Sequence, residues 1–128
     1  MKEQKEYLVA THEADVQWLK NLEFYKDELS IFKARLAEAS EKNSAKDIKM
    51  LVSHFENQFV INLNFIDELT HEINQKEHEI SEELKANPVA YEHRTTNKYF
   101  ELKGKMEMFV KLYTELKNDF NKFISGIL

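Results

Sequence analysis

A chain of 128 residues is the length of one domain, and two glycines and one proline are too few turn residues for a β-rich fold. The lack of cysteine excludes a disulfide scaffold, a thiol nucleophile and a cysteine-ligated zinc site. A net charge of −5 disfavours non-specific binding to nucleic acid or to anionic membranes.

The first predicted helix runs from about residue 3 to 39. Its seam is Leu8, Thr11, Asp15, Trp18, Leu22, Tyr25, Leu29, Phe32 and Leu36, in steps of three and four. Val9, Val16, Phe24 and Ile31 form a second apolar stripe on the opposite side, where a helix lying on a bundle surface would carry charges. A polar connection, Ser40 to Ser44, follows, and Ser44 with Asp47 resembles a capping box with an acid shorter than the usual Glu. A connection this short implies antiparallel neighbours.

The second helix, about 45 to 86, is the middle element. Its seam is Ile48, Val52, Phe55, Phe59, Ile66, Leu69, Ile73, Ile80 and Leu84, with Asn62 and Lys76 at the two polar positions. The run from Phe59 to Ile66 is apolar on every side. Asn87-Pro88 ends this helix, since Asn caps and Pro suits a first helical position. Thr95-Thr96-Asn97 is a second possible cap, so the third helix begins at Pro88 or nearer Lys98 and runs to about 125. Its seam is unbroken: Tyr99, Leu102, Met106, Phe109, Tyr113, Leu116, Phe120, Phe123 and Ile127. Gly104 lies off that seam, and Gly126 suits a helix stop. The pattern predicts a single all-α domain over residues 1–128, an up-down-up antiparallel three-helix bundle of long, coiled-coil-like helices. At 1.5 Å per residue the rod is roughly 60 Å long.

Helical bundles often host metals, and Glu68-Leu69-Thr70-His71 is a literal Glu-x-x-His. At about 100° per residue, His71 falls about 140° and Glu68 about 160° from the core side of their helix. His78 continues the same outward strip. Glu68, His71 and His78 therefore read as an exposed polar face, or as intersubunit ligands completed by a second copy. No metal or other cofactor is expected within one chain. His12 and His93 come near one another by antiparallel counting.

Thr11, Asp15, Asn62 and Lys76 are polar residues on seam positions. Counting back from the turn sets Asp15 level with Leu69 to His71, one to two turns from Lys76, so that Thr11, Asp15, Glu72 and Lys76 make one end of the rod polar. Lys76 snorkelling beside a half-exposed Asp15 is one outcome, and fixing of register is another. A third is a small polar pocket in which Asp15 and Lys76 titrate abnormally.

None of the six serines lies on a glycine-rich elbow, and no phosphate loop or dinucleotide fingerprint is present. Nothing singles out a catalytic residue among 23 acids. Lysines of the third helix are interspersed with acids and face an acidic end of the second, so no nucleic-acid partner is expected. The charged N-terminal stretch precedes no apolar h-region and no run is long enough for a span, so no membrane association and a cytoplasmic location are expected. Off-seam apolar residues remain: Phe24, Ile31, Val60, Ile61, Phe100, Met108 and Leu112. Phe24, Val60, Ile61 and Leu112 are level near mid-rod. Phe24, Ile31, Val60, Ile61, Met108 and Leu112 are the candidate interface of a non-enzymatic interaction or scaffolding bundle, self-associating as a homodimer or meeting another protein. The alternative is a bundle that binds a metal ion or small polar ligand, including an enzymatic one.

Overall fold

The computed structural model describes the backbone of residues 2–86 and 88–128 and the side chains of residues 9–82 and 98–128. Three α-helices, α1 (Lys2–Lys42), α2 (Lys46–Ala86) and α3 (Pro88–Ile127), run up, down and up. Each packs on the other two, giving the expected all-α three-helix bundle. Leu8, Leu84, Asn87 and His93 lie outside the described side chains.

The seams become the core. Leu22, Leu29, Phe32 and Leu36 of α1 meet Val52, Phe55, Phe59, Ile66, Leu69 and Ile73 of α2. Leu102, Met106, Phe109, Tyr113, Leu116 and Phe120 of α3 complete it. Burial of each such side chain stabilises the fold by about 2 kcal/mol before entropy is counted. Near the α1–α2 connection the filling is aromatic. The rings of Phe32, Phe55, Phe59, Phe120 and Phe123 make contacts with centroids 5.1 to 6.3 Å apart. At mid-rod Tyr25 packs on Tyr113 at 4.6 Å and on Phe109 at 5.5 Å. Tyr113 donates its hydroxyl to Glu28 across the α1–α3 contact, and Lys117 donates to the other Glu28 oxygen at 2.9 Å. Burial, then the carboxylate beside it, holds the Tyr113 phenol far above its ordinary pKa.

Three details differ from the periodicity, and the first of the two starts expected for the third helix is the one adopted. The first helix continues to Lys42, because Ala39 is fully buried and Lys42 pairs with Glu38 one turn back at 2.9 Å. Asn43 then caps it, donating to the Ala39 carbonyl at 2.8 Å. Ser44 makes no side-chain hydrogen bond among the described residues; Lys49 closes the turn instead, donating to the Ser40 hydroxyl at 3.0 Å and to its carbonyl. The third helix begins at Pro88 and passes through Thr95-Thr96-Asn97 without a break. At its far end Ile124 is the buried residue, while Phe123 and Ile127 are half-buried on either side of it. No helix among the described residues is long and apolar enough to cross a membrane.

Candidate functional site

Seam positions force polar side chains inward at the end of the rod opposite the phenylalanine cluster. Thr11 and Asp15 sit one turn apart on α1, and Lys76 faces them from α2. The Lys76 ammonium lies 2.7 Å from Asp15 Oδ1, with side-chain exposures of 3% and 0%. Neither snorkelling of Lys76 nor half-exposure of Asp15 occurs. Two effects close the gap of one to two turns between them. The longer α1 moves the turn and shifts the facing level on α2 toward Lys76, and a helical side chain leans toward its own N-terminus.

Lys76 is also boxed by aromatic rings. Its Nζ lies 5.5 Å from the Trp18 ring centroid and 5.7 Å from that of Tyr99. Trp18 and Tyr99 themselves stack at 5.6 Å, joining α1 to α3. A desolvated ammonium over such faces gains about 2 kcal/mol. Glu77, the next residue on α2, is a second carboxylate at the α1–α2 contact and is half-buried. His12 Nδ1 lies 3.0 Å from Glu77 Oε2 on its outer side.

Lys76 approaches Asp15 closely but outside hydrogen-bond geometry. Among the described residues, Asp15 Oδ1 and Oδ2, Lys76 Nζ and Glu77 Oε1 are all buried without a hydrogen bond of good geometry. The 2.7 Å approach of Lys76 is therefore an ion pair, electrostatic in character. Burial, and next the neighbouring Glu77, push the Asp15 carboxyl up to about 7, against the pull of Lys76. Burial also raises Glu77, but hydrogen bonding with Asp15 and His12 outweighs it and leaves Glu77 below the ordinary glutamate value.

Sequence reasoning found Asp15, Lys76 and Thr11 but placed Glu72 with them. Glu72 instead turns to α3, where Lys105 donates to both its oxygens at 2.9 and 3.0 Å. Glu77 takes the place in the cluster. It lies one position beyond the seam, at the edge of α2 that faces α1, and its only sequence signal is adjacency to Lys76.

The metal candidates do not converge. Glu68, His71 and His78 are exposed, and no group of three or more His, Asp or Glu side chains among the described residues is placed to hold a metal ion. His12 meets Glu77, and the approach of His12 to His93 expected by counting falls outside the described residues.

The six apolar interface candidates are all exposed, between 47% and 60%. They do not make one patch. Ile61 and Leu112 line a single α2–α3 groove of about 270 Å³, above Phe65 and Phe109, which stack at 5.5 Å. Met108, one turn before Leu112, stands on the same strip of α3. Phe24 and Ile31 flank Glu28, which reaches Lys117 of α3, so they lie on the α1–α3 side. Val60 is two turns before Asp67, which meets Lys26 of α1 at 3.4 Å, so it lies on the α1–α2 side. A further groove of about 400 Å³ between α1 and α3 is walled by Trp18 and Tyr99, with Lys103 and Glu107 at its rim.

Comparison of the chain with protein-family models, with curated proteins and with solved structures finds no match.

Proposed function

We propose that the chain is a non-enzymatic interaction bundle that self-associates as a homodimer through its α2–α3 flank. One observation carries this reading: Ile61 and Leu112 stand exposed along one groove whose floor is already aromatic, with the exposed Met108 one turn before Leu112 on α3. Apolar side chains scattered singly on a surface need no partner, but several along one groove favour a contact that removes them from water. Burying them against their own copies supplies the simplest such contact, because a two-fold axis makes one flank complementary to itself. Phe24 and Ile31 on the α1–α3 side and Val60 on the α1–α2 side fall outside this interface.

Light scattering across a range of concentrations tests the reading. The expected mass is that of a dimer. Ile61→Asp with Leu112→Asp is expected to give a monomer of unchanged helicity, whereas Phe24→Asp, on another flank, leaves the dimer intact. A monomeric parent chain at all concentrations, or a double variant that remains dimeric, overturns it.

A further inference from the structure

We propose that the groove between α1 and α3 binds a small zwitterionic aromatic molecule, of the chemical class of the aromatic amino acids. This groove lies on a different flank from the α2–α3 interface and works in a monomer or a dimer. It holds about 400 Å³, within the roughly 300–1,000 Å³ usual for small-molecule sites. Trp18 from α1 and Tyr99 from α3 wall it, and the buried Met106 adds a thioether to its lining. The two rings stack with centroids 5.6 Å apart, and both are half-buried, so each keeps surface open to the groove. A flat ring packs well against such surface. A cation does not, because Lys76 already holds its ammonium 5.5 and 5.7 Å from the two centroids and repels a second positive charge there.

The polar groups of the groove give the ligand its charges. The first and third helices of an up-down-up bundle run parallel. Three residues on from Trp18 and four on from Tyr99, Asn21 and Lys103 therefore stand at about the same level on opposite walls. Asn21 Oδ1 accepts from Gln17 Nε2 at 2.9 Å, which leaves the amide N–H groups of Asn21 to donate. These N–H groups and the Lys103 ammonium suit a carboxylate. Glu107 is one turn beyond Lys103 on α3 and suits an ammonium. Among the described residues the α3 ion pairs are made by Glu101, Lys105 and Lys117, and neither Lys103 nor Glu107 is engaged in one. The order along the groove is thus aromatic surface, anion-binding donors, then a cation-binding acid. An aromatic ring on a short stem that ends in a carboxylate and an ammonium matches that order.

Titration of the full chain with L-tryptophan, followed by NMR of the protein's Trp18 indole N–H and Met106 methyl group, tests this. Trp18 is the chain's one tryptophan, so its indole signal is unambiguous in labelled protein. Both signals are expected to move saturably, with a dissociation constant on the order of 1 mM for a ligand of this size. Tryptamine lacks the carboxylate and indole-3-propionate lacks the ammonium, and each should bind about threefold more weakly. L-Tryptophan should lose about the same in Lys103→Gln and in Glu107→Gln. Both positions are exposed, so these variants keep the fold, which unchanged helicity confirms. Signals that do not saturate, or that move at Ile61 and Leu112 instead, overturn the site. Equal binding of the three indoles, or of L-leucine, overturns the class of ligand. Affinity unchanged in both variants overturns the roles of Lys103 and Glu107.

Discussion

Lys76 holds an ammonium between a carboxyl and two aromatic faces with almost no access to water. Removing one member of a buried pair strands the other, at a cost of about 3 kcal/mol or more, whereas replacing both with apolar groups of similar volume is often neutral. Lys76→Met keeps the length of the stem and discards the charge. At a pH near 8, where Asp15 is ionised, this variant is expected to lose about 3 kcal/mol in chemical denaturation. At a pH near 5.5, where Asp15 holds its proton, the loss should be smaller, and in Asp15→Leu with Lys76→Met it should largely disappear at both. Equal losses at the two pH values would mean that Asp15 stays charged throughout. That Asp15 and Lys76 lie at the same end of the core was legible in the sequence because both occupy seam positions, but counting from the turn left them one to two turns apart. Glu77 was not, because a residue one step off the seam can point to solvent or to a neighbour, and only packing decides which.

Within the helices, periodicity was the readable quantity, and steps of three and four placed nearly every described core residue. Helix ends were less readable, because they depend on local bonds such as Asn43 to the Ala39 carbonyl and Lys49 to Ser40. Asn62 illustrates the same limit: it holds a seam position, yet its side chain donates to the Gln58 carbonyl of its own helix at 2.8 Å and, among the described residues, bridges to no other helix. Gly104 offers a clean test of helix propensity in α3. It is exposed, has an ordinary backbone conformation, and a Cβ added there meets nothing within 4 Å. Its substitution by Ala removes only the backbone freedom of glycine in the unfolded chain and is expected to stabilise the fold by about 1 kcal/mol. A rise in the thermal midpoint of a few degrees is the readout, and a fall would reveal a contact at Gly104 that the isolated bundle lacks.

The molecule as a whole is a rod with two unlike ends. At the α1–α2 turn, interlocked phenylalanines exclude water and leave few polar groups to satisfy. At the other end the same three-layer packing encloses Thr11, Asp15 and Lys76, which return less free energy on burial and require partners. The overall topology was legible because short connections between long amphipathic stretches permit only an antiparallel order. Which flank faces a partner was not, because exposure of Ile61, Met108 and Leu112 follows from the bundle, but complementarity belongs to a surface outside it. The asymmetry predicts a gradient of local stability. Native-state hydrogen exchange near neutral pH should find the slowest amides in residues 29–36, 52–59 and 116–124, around the phenylalanine cluster. Amides of residues 11–18 and 73–80, around the polar cluster, should exchange at least about tenfold faster after correction for intrinsic rates. Because helices joined by short turns can open from one end without breaking the other, this opening need not unfold the rod. Uniform protection along all three helices would instead mean that the polar cluster is as firmly held as the aromatic one, and that the bundle opens only as a single cooperative unit.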